Sequence, residues 1–123
     1  VGIITISANS LTAEHLKGAG VAPETPIVGT ESGRHFSRAI LNDEAELDIE
    51  TSRLDLLDAG NLLLTQHEDI GAIVLECTNM VPYAADLRRK FGLPVYSIYT
   101  LLTWFQSGLL PRRFRPELDD TRL

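Results

Sequence analysis

Ala72-Ile73-Val74-Leu75-Glu76-Cys77-Thr78-Asn79-Met80-Val81-Pro82-Tyr83 is the stretch on which the fold turns. Its first half is a short apolar run rich in β-branched residues, the pattern of a strand buried on both faces. Its second half turns polar for three residues and then sets Pro82 where a helix tolerates proline, in the first turn. A strand that hands over to a helix in this way is half of a βα unit, and the junction leaves backbone N–H groups without helical partners. The chain's single thiol, Cys77, sits at that junction. Free cysteine usually packs as a small hydrophobe, but a core cysteine belongs inside the apolar run, whereas this one is followed by Thr78 and Asn79. A helix start favours the thiolate, and the same N–H groups, with the Thr78 hydroxyl and the Asn79 amide, can hold a carboxylate beside it.

Similar runs lie outward from this one, and the pattern predicts strands over about 2–7, 26–30, 72–76 and 94–98, separated by helices. The first helix starts with Thr12 as N-cap and Glu14 in its first turn, and ends at Gly18 and Gly20. A long helix is expected from about Asp43 to His67. Its Leu47, Leu54, Leu57 and Leu64 fall on one side and Ile49, Leu56 and Leu63 nearly opposite, so both sides call for cover, and Gly60 weakens it. The acidic run Asp43, Glu44, Glu46, Asp48 and Glu50 reads as its charged N-terminal region. A third helix covers about Val81 to Phe91 and stops at Gly92. The last, about Tyr99 to Ser107, carries Leu101, Leu102, Trp104 and Phe105, an unusual apolar load. This alternation predicts an α/β chain, a three-layer α/β/α arrangement with a four-stranded parallel sheet. Right-handed crossovers, with a long excursion between the second and third strands, give the strand order 2-1-3-4. Residues 1–110 read as a single α/β domain, and 111–123, which mix Arg112, Arg113 and Arg115 with Asp119 and Asp120, read as a mobile tail.

With 123 residues, 44% of them hydrophobic and 23% charged, the chain has ordinary globular composition and enough length for one core. Its net charge of −6 argues against nucleic acid or an anionic membrane as partner, because both select basic surfaces. One cysteine excludes an internal disulfide, and no stretch resembles a signal peptide or is apolar for long enough to span a bilayer. A reducing cytoplasm is therefore the expected location. With no second cysteine and no His pair at metal-ligand spacing, no metal is assigned. The chain opens inside a strand-like run without an initiator Met, and reads as part of a longer protein.

In open parallel sheets ligands bind beyond the carboxyl ends of the strands, near the point where the strand order reverses. Those ends are Ser7-Ala8-Asn9-Ser10, Gly29-Thr30-Glu31-Ser32 and Cys77-Thr78-Asn79, so three polar clusters converge on one rim. Leu75-Glu76-Cys77-Thr78-Asn79-Met80-Val81-Pro82-Tyr83-Ala84, followed by Gly92-Leu93-Pro94-Val95-Tyr96-Ser97-Ile98, resembles the aspartate/glutamate/hydantoin racemase superfamily. Gly2-Ile3-Ile4-Thr5 through Leu11-Thr12-Ala13-Glu14-His15-Leu16 resembles the opening of that family's second domain. The resemblance implies two similar α/β domains facing one another, each supplying one cysteine, working without metal or cofactor. This chain would be the second half, its partner cysteine carried by a missing N-terminal domain, and the isolated chain would be inactive. The resemblance also implies a racemase or isomerase in which Cys77 is the thiol/thiolate acid–base at the α-carbon of a small carboxylate substrate. Removing a proton next to a carboxylate builds up enolate charge, and donors near the carboxylate with a partly activated thiol meet that need. Thr78 and Asn79 are the expected carboxylate holders, with Asn9 and Ser7 in second rank. Glutamate racemases of the family often carry His where this chain has Asn79, and other members isomerise, racemise hydantoins or decarboxylate malonates.

Glu31 and His35 read equally well as site residues or as a helix-start Glu and a surface His, whereas His15 and His67 read as solvent-facing. A flavodoxin-like ligand-binding module without catalysis is the alternative, because Ser7-Ala8-Asn9-Ser10-Leu11-Thr12 is a hydroxyl-rich loop able to cradle a phosphate, although it lacks the glycine such loops use. The apolar last helix points to a homo-oligomer.

Overall fold

The computed structural model describes residues 1–114; of the expected tail, residues 115–123 lie outside the described part. Four strands form, β1 Gly2–Thr5, β2 Ile27–Gly29, β3 Ile73–Leu75 and β4 Val95–Tyr96. All pair in parallel in the order β2-β1-β3-β4, so the predicted α/β class and the 2-1-3-4 order hold. The register sets Thr5 beside Gly29, Ile4 beside Leu75 and Val74 beside Tyr96. Because side chains alternate across a strand, Ile4, Val28, Ile73 and Leu75 enter the core on one face, while Ile3, Thr5, Val74 and Glu76 belong to the other.

The first face carries the core. Over it lie α2 (Phe36–Leu41), α3 (Ile49–Gln66), a 3₁₀ helix (Thr78–Tyr83) and α4 (Ala84–Phe91). Phe36, Leu56, Leu63, Met80, Tyr83 and Leu87 from these elements are at most 2% exposed, each stabilising the fold by about 1.5–3 kcal/mol through burial. The opposite face is thinly covered, since α1 (Ala13–Gly18) buries only Leu16 and α5 (Ile98–Leu109) buries no residue. Among the described residues no helix is long and apolar enough to cross a membrane.

The helix expected from Asp43 to His67 starts later, at Ile49, and the short helix α2 that precedes Asp43 was not expected. Asp43 has a left-handed φ of 51°, a conformation that breaks a helix, and it separates α2 from α3. Asp48 is the N-cap of α3, its Oδ1 accepting the Thr51 N–H at 2.9 Å. This contact, together with the Thr51 hydroxyl, holds the Asp48 carboxyl below its usual range. Nor does α3 need cover on both sides. It is an outer-layer helix with the sheet on one side only, so Leu56, Ala59 and Leu63 are buried while Ile49, Leu54 and Leu62 face out. Gly60 is a packing residue here: a Cβ would come within 2.4 Å of the Phe91 ring, so its absence lets α4 approach. The predicted stops at Gly20 and Gly92 are observed, with φ of 67° and 70°.

Candidate functional site

Cys77 directly follows β3 and Glu76, half-buried and packed against the core cluster. Its carbonyl accepts the Met80 N–H at 3.0 Å and opens the 3₁₀ helix. The α-helix expected from Val81 begins instead at Ala84. Pro82 sits inside the preceding segment and has no N–H to give, which suits a short 3₁₀ stretch better than an α-helical turn. The donors beside the thiol are therefore the first N–H groups of a tight turn, which have no intrahelical partners. Asn79 Nδ2 lies 4.0 Å from Cys77 Sγ, a long N–H···S contact. Thr78 and Asn79 are both exposed and can meet a ligand.

The loop after β1 stands on the same rim, but no hydrogen bond joins it to Cys77 among the described residues. Ser7 Oγ pairs with Ser10 Oγ at 3.0 Å, and Asn9 is exposed. Glu31 Oε1 accepts the Ala8 N–H at 2.9 Å. Gly29 makes room for this, since a Cβ there would fall 1.5 Å from Glu31 Oε2. Glu31 is thus a brace between the ends of β1 and β2. The expected phosphate cradle fails for the same reason: a carboxylate already occupies a loop N–H and would repel an anion. His35 is structural as well, with Nε2 accepting the Asp48 N–H at 2.9 Å and Nδ1 lying 3.2 Å from Arg38 Nη2. His15 is exposed, but its ring has a capping role, Nδ1 accepting the Thr12 N–H at 3.0 Å in the first turn of α1.

Two polar groups that secure this rim escaped the sequence reading. Asp55 of α3 is 1% exposed, and its carboxylate accepts the N–H groups of Arg34, His35 and Phe36 at 2.8, 2.7 and 2.9 Å. Burial alone would raise its pKa, but those three donors outweigh burial and hold the carboxyl below its ordinary value. Phe36, fixed in this way, meets Tyr83 edge to face with ring centroids 6.0 Å apart, and Tyr83 ends the 3₁₀ segment that follows Cys77. Ser37 Oγ donates to the Ile6 carbonyl at 2.8 Å and lies 2.8 Å from Thr30 Oγ1, tying α2 to the ends of β1 and β2. A visible signal for Asp55 was its place in the 52, 55, 56, 59, 63 stripe of α3, where a lone carboxylate needs partners.

Two cavities open on the thin face of the sheet, and Val74 and Glu76 line both. One, of 470 Å³, is walled by α1 and the first loop and includes Ser7, His15 and Leu16. The other, of 590 Å³, is walled by β4 and α5 and includes Tyr96, Leu101 and Trp104. Thr5 Oγ1 donates to Glu76 Oε2 at 2.8 Å. Neither cavity is lined by Cys77, Thr78, Asn79 or Asn9. Among the described residues no group of three or more His, Cys, Asp or Glu is arranged to hold a metal ion.

The chain is similar to a dimethylsulfoniopropionate lyase from Durusdinium sp. clade D, 33% identical over 84 residues. The match covers 68% of this chain and 27% of that protein, so the chain spans about a quarter of its relative's length. No family model matches the chain, and no solved structure matches it. The likeness to a lyase corrects the expected activity, because racemisation, isomerisation and the decarboxylation alternative are all different reactions from that of the named relative. The expectation that an isolated chain is inactive falls too, since it rested on a two-base racemase mechanism.

Proposed function

We propose that this chain is the thiol-bearing domain of a carbon–sulfur lyase that acts on a small sulfonio carboxylate, with Cys77 as the base. In such an elimination the thiolate takes a proton from the carbon next to the carboxylate, and the C–H electron pair becomes the C=C bond. The bond from the β-carbon to the sulfonium sulfur breaks, and dimethyl sulfide departs with that electron pair. One base on one face of the substrate suffices, and the proton passes from the thiol to solvent between turnovers. Thr78 and Asn79 hold the carboxylate and stabilise the enolate-like charge. The observation that carries this reading is Cys77 at the carboxyl end of β3, with the Asn79 amide 4.0 Å from its sulfur, in a chain similar to a lyase.

The superfamily resemblance enters this proposal through the position of the thiol, not through its reaction. The same reading carries an N-terminal domain as a further part of the protein, and a base that must stay a free thiol favours the reducing cytoplasm. The test is headspace detection of dimethyl sulfide from dimethylsulfoniopropionate. Cys77→Ser and Cys77→Ala, folded by circular dichroism, should lose on the order of 10²–10⁴-fold in rate. Release at the parental rate from both variants would overturn the role of Cys77.

A further inference from the structure

Resting on the reading of Cys77 as the base, we propose that Tyr83 is its positioning residue: the Tyr83 ring, seated against Phe36, fixes how the 3₁₀ helix is turned and so how deep the thiol lies. The spacing of buried residues carries this. Cys77, Met80 and Tyr83 follow one another at intervals of three; Met80 and Tyr83 belong to the core cluster, and half-buried Cys77 packs against it. Residues three apart eclipse in a 3₁₀ helix, so these side chains form one row on the core side, while Thr78, Asn79 and Pro82 are left exposed. The next buried residue is Leu87, four positions on, which is the step of an α-helix. The step changes at Tyr83, where the 3₁₀ helix meets α4.

Tyr83 is held from outside its own segment. Phe36 meets its ring edge to face, with centroids 6.0 Å apart, and the Phe36 N–H is bonded to the buried Asp55 carboxylate at 2.9 Å. At the other end of the row the Cys77 carbonyl accepts the Met80 N–H at 3.0 Å. Were the segment to relax toward an α-helix with Tyr83 in place, Met80 and the thiol beyond it would turn by about 60° around the axis. The depth of the sulfur therefore depends on Tyr83 keeping its seat. The Tyr83 hydroxyl is buried with no hydrogen-bond partner among the described residues, so the ring alone does the holding.

Cys77 is the only cysteine, so alkylation by iodoacetamide, followed by intact mass, reads this one thiol. Tyr83→Leu removes the ring and should raise the labelling rate roughly 2- to 10-fold, the factor that loss of one aromatic pair corresponds to. Phe36→Leu, which takes away the ring facing Tyr83, should do the same, and serves where Tyr83→Leu does not fold by circular dichroism. Tyr83→Phe should label at the parental rate. Leu16→Ala is the control, because Leu16 is buried under α1 on the other face of the sheet and its loss lowers overall stability without touching the row. A parental rate in either folded leucine variant, a changed rate in Tyr83→Phe, or an equal rise in Leu16→Ala at matched stability would each overturn the positioning role. Labelling needs no substrate, so its outcome is separate from dimethyl sulfide release, on which the lyase reading stands or falls.

Discussion

Replacing Asp55 with Ala removes the acceptor that organises the start of α2. The carboxylate receives three backbone N–H groups, and hydrogen bonds to a charged group contribute about 1.5–3 kcal/mol each. They do not count equally. Arg34 is exposed and its N–H can turn to water, His35 is half-buried, and Phe36 is fully buried. Losing one full and one partial bond, and leaving the Phe36 donor unsatisfied, comes to roughly 3–5 kcal/mol. For a chain of this size that lowers Tm by about 10–20 °C. Asp55→Asn keeps one acceptor oxygen but turns an NH₂ toward the donors, so it should lose about half as much. Acid gives a second reading. The native carboxyl titrates below its ordinary value, so its contribution is complete above about pH 4 and is lost as pH falls through the native value. Urea denaturation followed by circular dichroism, at several pH values, measures both effects. Wild type should lose stability in acid more steeply than Asp55→Asn. An Asp55→Ala protein within 0.5 kcal/mol of wild type, or identical acid slopes for wild type and Asp55→Asn, would refute the reasoning; that threshold is about the scatter of neutral surface changes.

Gly33→Ala should act on the same centre, because a Cβ there would meet Asp55 Cγ at 2.6 Å and the carboxylate cannot move without breaking its bonds; a loss of about 1–3 kcal/mol in urea denaturation is expected. Ser37→Ala leaves the Ile6 carbonyl without its donor and Thr30 Oγ1 with only its 3.4 Å bond to the Thr5 carbonyl, which should cost about 1–3 kcal/mol, read as a lower midpoint with unchanged denaturant slope. The face of α5 turned away from the sheet carries Tyr99, Leu102, Phe105 and Leu109, each more than half exposed, so self-association rising with concentration is expected by light scattering. Leu102→Lys with Phe105→Lys should return the protein to monomer, and a wild-type monomer at every concentration would refute the association.

The sheet was legible because its determinants are local. Each strand is a short apolar run, all are flanked by helices, and the length of the excursion between Val28 and Ile73 allows β3 to pair on the far side of β1. The late start of the expected long helix, and the short α2 before it, were not legible. Asp43 adopts a left-handed conformation, and nothing in the acidic run Asp43 to Glu50 distinguishes a residue that breaks a helix from one that caps it. What decides is the contact Asp48 makes with both Thr51 and His35. Likewise the two leucine rows of α3 looked equivalent until the sheet took one side, a tertiary choice that hydrophobic spacing alone does not make.

The candidate site shows the same division. Cys77 could be placed at a strand end because the apolar run stops there, whereas the partners of Glu31 and Glu76 come from residues 23 and 71 positions away in the chain. These two carboxylates end in opposite kinds of place. Glu31 folds over Gly29 and closes the loop after β1 against anions, which leaves the Thr78–Asn79 side of the rim for a substrate carboxylate. Glu76 lines both cavities on the thin face, with one carboxylate oxygen held by the Thr5 hydroxyl. A racemase has to reach both faces of the α-carbon, so one thiol per rim is half a mechanism. An elimination needs a base on one face only, and that is all the proposed lyase asks of Cys77 at the end of β3.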